Sequence, residues 1–252
     1  MQEFDRDIYE RIIAPYPTNS HLVPLSTPVL SFGDPETAKI VTIGINPSCA
    51  EFENPKGGLL PEKKRRLEDF RSLGIKSPAE LTEEHAHKIH SACLNYFNRK
   101  PYGWFNQLDL RVNSVFSASY FKGTAAHLDL VQWATNPVWG NIKDEKIRAS
   151  LLASDAGFLR QQLLRTTADF VYMSGSQVFD QLIETNIVKA HVAGSGTYTQ
   201  LNGSTSTYLL YEGETFNGIP VKGWSRVLPG HYVPKHSMSD VFEKLTSFLK
   251  GE

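Results

Sequence analysis

Three polar turns fall where strands are expected to end, and together they offer an amide, a carboxyl and an imidazole. The first is Gly44-Ile45-Asn46-Pro47-Ser48, reached through the apolar β-branched run Lys39-Ile40-Val41-Thr42-Ile43. The second belongs to His127-Leu128-Asp129-Leu130-Val131-Gln132-Trp133-Ala134, a strand candidate that runs into Thr135-Asn136-Pro137, and the third is Pro229-Gly230-His231. In open α/β sheets, side chains delivered at the carboxyl ends of parallel strands line the ligand crevice. Asn46 can donate and accept hydrogen bonds, His231 can do either according to its tautomer, and an ionised Asp129 only accepts. The set suits a ligand with a hydrogen-bonding edge. Other chemistries are disfavoured: Ser174-Gly175-Ser176 lacks the pattern of a nucleophile elbow, and no Gly-rich dinucleotide or phosphate loop follows any strand.

The elements that must position these turns alternate. Residues 1–36 form an N-terminal lead-in, with a short amphipathic segment (Ile8, Tyr9, Ile12, Ile13) followed by a Pro-rich stretch. Leu67, Phe70 and Leu73 recur at helical spacing, which also places the basic run Lys63-Lys64-Arg65-Arg66 on a helix. Ser77-Pro78-Ala79-Glu80 has the form of a capping box and predicts a helix whose buried face includes Ile89, Ala92, Cys93 and Tyr96. The aromatic-dense stretch from Tyr96 to Phe105 suits core packing, or base stacking with phosphate contacts. Residues 143–166 should be helical with a break near Gly157, and residues 169–176 form a third strand and turn. Residues 187–224 read as a β-hairpin insertion around Asn202-Gly203, ahead of the last core strand and a terminal helix bearing Val241, Leu245 and Leu249. Alternating strands and helices predict an α/β fold: a single α/β/α domain spanning 1–252 around a central, mainly parallel four-stranded sheet.

The chain has 252 residues, ample for a buried core, and a formal net charge of −1, which neither favours nor excludes a nucleic-acid partner. The two cysteines, Cys49 and Cys93, make no disulfide framework, and no Cys/His spacing suggests zinc, so neither metal nor cofactor is expected. No stretch approaches the roughly 20 apolar residues of a membrane span. A cytoplasmic, monomeric protein is expected.

The order and spacing of these motifs resemble the uracil-DNA glycosylase superfamily. Gly44-Ile45-Asn46-Pro47 matches the Gly-x-Asn-Pro first motif of its mismatch-specific and single-strand-selective branches, and the loop at His231 is similar to its last motif. The similarity covers most of residues 30–250. It implies a DNA partner, base flipping and N-glycosidic hydrolysis, with Asn46 positioning the attacking water and His231 donating to the pyrimidine O2 as charge develops there. Gly44, Ile45, Pro47, Ser48, Phe52 and Asp129 would line the base pocket, with Phe52 stacking on the base. Pro229, Gly230, Tyr232, Val233 and Lys235 would touch DNA, and Tyr232 or Val233 would enter the vacated stack. The last loop departs from the family, reading His231-Tyr232-Val233-Pro234 without the Pro-Ser that follows His there.

Two further departures bear on the substrate. Ser48 stands where the uracil-specific branch carries a Tyr that blocks substituents at C5, so a 5-substituted pyrimidine fits. Asp129 is nearest the position of the Asn that reads the uracil edge, and a carboxylate there favours the N4 amino group of cytosine; if protonated, it could also donate to N3. The resemblance thus implies a monofunctional glycosylase acting on C5-modified cytosine, hydroxymethylated or glucosylated as in bacteriophage DNA, with uracil second. That would be a defensive activity. No lysine nucleophile stands in the three turns, which fits hydrolysis without strand cleavage. Plainer readings exist: Asn46 as a turn former, Asp129 as a helix cap or partner of Arg111 or Lys122, and His231 as a loop residue. A non-catalytic nucleotide- or DNA-binding domain would use the same loops.

Overall fold

The β-branched run after Lys39 forms β1 (Ile40–Gly44), and its first four side chains are buried. In chain order there follow β2 (Ala125–Asp129), β3 (Phe170–Ser174), β4 (Val188–Thr199), β5 (Thr205–Thr215) and β6 (Pro220–Trp224). The helices are α1 (Arg6–Ile13), α2 (Phe70–Leu73), α3 (Glu83–Leu94), α4 (Trp104–Phe116), α5 (Glu145–Arg165), α6 (Ser176–Glu184) and α7 (Lys235–Lys250). The computed structural model describes residues 5–15, 17, 21–226 and 233–252. These form two units. One comprises the described part of Met1–Asp34 with Ile45–Tyr102 and Leu128–Gln162; the other comprises Pro35–Gly44, Gly103–His127 and the described part of Leu163–Glu252.

The sheet is α/β in class but larger than expected: six strands in the order β2-β1-β3-β6-β5-β4. β1 pairs with β3, and β3 with β6, in parallel, whereas β6 with β5 and β5 with β4 are antiparallel. The four-stranded, mainly parallel sheet is therefore corrected to a mixed sheet of six. The hairpin is not an appendage. Its return strand pairs from Leu210 to Glu214 with Trp224 to Pro220, so it satisfies the open edge of β6 and continues the sheet. The Asn-Gly turn is as read, with Gly203 at φ +81°. A Cβ at Gly196 on β4 would lie 2.3 Å from the Tyr208 hydroxyl, so any larger residue there requires the Tyr208 ring to move. In the second unit α6 and α7 cover opposite faces of the sheet. Phe179 stacks on Tyr211, the register partner of Gly223, while the next residue, Trp224, meets Phe242.

Four local expectations are corrected in the first unit. Asp69 caps at its own position, accepting from Ser72 N at 2.9 Å, so α2 begins after Leu67 and lasts a single turn. The basic run then lies on and beyond one 3-10 turn, Glu62–Lys64, rather than on a helix. The capping box forms at Thr82 with His85, not at Ser77, and Pro78–Glu80 is only a 3-10 turn; Ile89, Ala92 and Cys93 are buried as expected, with Tyr96 in the next turn. α5 runs unbroken through Gly157, where a Cβ would meet nothing within 4 Å, so the glycine costs helix propensity alone. β2 stops at Asp129 instead of continuing to Ala134.

Candidate active site

The segment 130–135 that leaves β2 is buried throughout yet is not a strand, so its backbone groups need partners elsewhere. Those partners all come from the first unit. Val131 N donates to Ile45 O at 2.7 Å, Val23 N to Ala134 O at 3.0 Å and Val29 N to Gln132 O at 2.7 Å. Gln132 N donates to the Asp155 carboxylate at 2.7 Å, and Gln132 Nε2 turns back to Asp129 O at 2.8 Å. Trp133 O accepts from Asn46 Nδ2 at 3.2 Å. The loop is thus held by backbone and side-chain partners together, with Trp133, Trp139, Val131 and Leu151 forming its apolar packing. Ile45 packs against that cluster.

Asn46 is the link between the two turns. Besides Trp133 O, its Nδ2 donates to Thr135 Oγ1 at 3.0 Å and Pro47 O at 3.2 Å. Two of these acceptors are carbonyls, which only accept, so the amide orientation is fixed and Oδ1 points the other way. Among the described residues Oδ1 has no hydrogen-bond partner, and Asn46 is half-buried. The result is an acceptor on a rigid mount, able to orient a water but too weakly basic to deprotonate it. Replacing Thr135 by Val removes one anchor at constant shape. For the glycosidic hydrolysis that the motif resemblance implies, base excision is expected to slow about tenfold, the value of one net hydrogen bond, with DNA affinity unchanged. Single-turnover rates beside a binding titration check this.

Ser48 caps the short turn Cys49–Glu51, accepting from Ala50 N at 3.2 Å. Gly44 ends β1 half-buried, Pro47 is buried, and Asp129 is 3% exposed. Phe52 is 2% exposed, so its ring is a core group with no face open for stacking. Val233 is 5% exposed. Lys235 is exposed at the start of α7. Pro229, Gly230, His231 and Tyr232 lie outside the described residues.

Sequence reasoning missed Glu51. It is 2% exposed, and its Oε2 accepts from Tyr96 Oη at 2.6 Å, while Tyr96 Oη accepts from Tyr102 N at 2.8 Å. Glu51 Oε1 has no hydrogen-bond partner among the described residues. Burial pushes the Glu51 carboxyl up to about 7; the Tyr96 hydrogen bond and the charge of Arg66 oppose this, and the neighbouring Asp129 adds to it. Arg66 is itself fixed, donating to Ala50 O at 2.6 Å with its guanidinium over the Tyr102 ring. The available signal was a lone acid between Ala50 and Phe52, five positions past Asn46. Since the folded value lies above the ordinary 4.5, Glu51 contributes stability that is full below about 4.5 and is lost as pH rises through about 7. Relative to Glu51→Gln, wild type should therefore lose on the order of 3 kcal/mol between those limits, at about 1.4 kcal/mol per pH unit. Urea unfolding of both proteins across that pH range measures it.

Among the described residues no group of His, Cys, Asp or Glu could hold a metal ion, and no helix is long and apolar enough to cross a membrane. No protein-family model and no curated protein matches the chain.

Proposed function

We propose that the chain is a monofunctional DNA glycosylase with a uracil-DNA-glycosylase-like fold, acting on a flipped C5-modified cytosine. The observation that carries this is the mount of Asn46, whose Nδ2 is committed to the facing turn while Oδ1 is left to accept from a ligand or water. In N-glycosidic hydrolysis the water oxygen adds to C1′, the C1′–N1 bond breaks, and its electron pair leaves with the base. A water proton ends on the departing base, leaving an abasic site. Asn46 would hold the water in line, a matter of positioning rather than proton removal.

Asp129, buried at the end of β2, would accept from the exocyclic N4 amino group, a contact uracil cannot provide. Ser48 is drawn back into its own turn as a cap, consistent with room for a substituent at C5. His231 would donate to O2, and Lys235 at the exposed start of α7 suits a phosphate.

The deciding assay offers purified protein duplexes carrying uracil, mismatched thymine, hydroxymethylcytosine or glucosylated hydroxymethylcytosine. Release of the modified cytosines is expected to exceed release of uracil, and release of uracil alone would overturn the substrate assignment. Tight DNA binding with no release from any duplex would make the protein a binding domain instead. Asp129→Asn should shift preference toward uracil, because an amide both donates to O4 and accepts from N3–H; competition between the two duplexes reads this directly.

A further inference from the structure

Two features of the sequence have no part in the reaction described above: the basic run Lys63-Lys64-Arg65-Arg66 and the aromatic-dense stretch from Tyr96 to Phe105. The first unit packs the run against Arg99-Lys100-Pro101-Tyr102. Lys100 Nζ donates to Lys63 O, and Arg99 donates to Arg66 O at 3.3 Å and to the Glu68 carboxylate at 2.9 Å. The Arg66 guanidinium lies over the Tyr102 ring, 5.4 Å from its centroid. Residues 62–71 and 99–102 thus make one patch with seven Lys and Arg against three Asp and Glu, a formal net of +4 in a chain of net −1. The acids are spent on arginines. Asp69 pairs with Arg65 and Arg71, and Glu68 with Arg99, whereas Lys63, Lys64 and Lys100 are exposed and have no acid partner among the described residues. The aromatic stretch divides in the same way: Tyr96 and Phe105 are buried, while Tyr102 is 36% exposed.

Two struts join the patch to the turn that follows Asn46. Arg66 Nη1 donates to Ala50 O at 2.6 Å. Tyr102 N donates to Tyr96 Oη at 2.8 Å, and Tyr96 Oη donates to Glu51 at 2.6 Å. Both struts end on the 3-10 turn Cys49–Glu51 that Ser48 caps. A strand held on the patch is therefore held at a set offset from Asn46. We propose that this patch binds a nucleic-acid strand, with Lys63, Lys64 and Lys100 taking phosphates and the exposed part of the Tyr102 ring, backed by Arg66, taking the face of an unpaired base. The inference deepens the glycosylase reading, on which it rests for DNA as the nucleic acid. Each ammonium group that replaces a counterion condensed on the strand adds affinity that salt removes, and an aromatic face distinguishes a nucleic acid from other polyanions.

The test is binding of the full chain to a fluorescent single-stranded DNA oligonucleotide, titrated over a range of salt concentrations. Replacing Lys63, Lys64 and Lys100 together by Gln should reduce the slope of log K against log salt by about 2, at roughly 0.7 per phosphate contact on a single strand, and weaken binding about 100-fold at roughly 0.1 M salt. Tyr102→Leu should weaken binding about tenfold with the slope unchanged, and Tyr102→Phe, which keeps the ring, should restore it. Below saturation with DNA, excision by the triple variant should fall by the same factor as its affinity. Wild-type slope and affinity in the triple variant overturn the patch and leave the glycosylase reading intact. Heparin bound as tightly as the oligonucleotide, with Tyr102→Leu binding both like wild type, makes the surface a general polyanion site and overturns the assignment to nucleic acid. Patch-dependent binding of the oligonucleotide with no excision from any duplex supports the patch and overturns the glycosylase reading instead.

Discussion

Asn46→Ala is expected to lower the single-turnover rate of base excision by about 10²- to 10³-fold while leaving DNA affinity unchanged, the range seen when one fixed polar group at a reaction centre is lost. The loss follows from what the amide does on each side. Its Nδ2 is bound to Trp133 O, Thr135 Oγ1 and Pro47 O, so Oδ1 cannot turn away from the position it holds. Removing the amide frees the water it would orient and also leaves the Trp133 carbonyl of the buried loop without this donor. A stability loss of about 1–3 kcal/mol accompanies the change, the cost of leaving a buried acceptor unsatisfied. Rates are therefore compared at a temperature where circular dichroism shows both proteins folded. An Asn46→Ala protein that is folded and excises at the wild-type rate would remove Asn46 from the reaction. Thr135→Val should show a smaller loss of the same kind, because it takes away one of three anchors and keeps Oδ1.

The turn at Asn46 was legible in the sequence because its causes are local: a β-branched run makes β1, which ends at Gly44 just ahead of Asn46-Pro47. The same holds for the Asn202-Gly203 turn and for the buried face of α3. What could not be read depends on residues brought together from far along the chain. The acid at Glu51 resembles any surface glutamate until Tyr96, 45 positions later, is placed against it. The segment 130–135 reads as strand because it is apolar, whereas its backbone is satisfied by the main chain at Val23, Val29 and Ile45 and by the side chains of Asn46, Gln132 and Asp155 rather than by a continuous strand ladder. The number of strands went wrong for a related reason. The alternation of β4 and β5 announces a hairpin, but nothing local says which edge its return arm will join. The start of α3 differs from the expectation because its cap forms at Thr82 with His85, and Ser77 opens only a 3-10 turn.

The largest expected loss of stability lies at Arg11 and Asp155. Arg11 on α1 and Asp155 on α5 form an ion pair of 2.9 Å, with 8% and 0% of each residue exposed. Burial pushes the Asp155 carboxyl above its ordinary range and Arg11 below its own, against the attraction between them. Arg11 also donates from Nε to Gln132 Oε1 at 3.0 Å, so the pair fixes the residue that satisfies Asp129 O and Leu130 O. Arg11→Met keeps an unbranched apolar side chain, but it removes the guanidinium that lies over Trp133 and leaves Asp155 a buried carboxylate without its cation. We expect a cost of about 3–5 kcal/mol by urea unfolding, as for other buried pairs broken on one side. Asp155→Asn in the same background keeps an acceptor for Gln132 N while removing the charge, and should restore part of the loss. The double-mutant cycle should then give a coupling well above the roughly 0.5 kcal/mol expected of independent sites. Additive losses would mean that the pair is incidental to the loop. A coupled loss matched by slower excision in Arg11→Met would show that the N-terminal helix fixes the turn that carries Asp129, although neither Arg11 nor Asp155 is assigned a contact with the base.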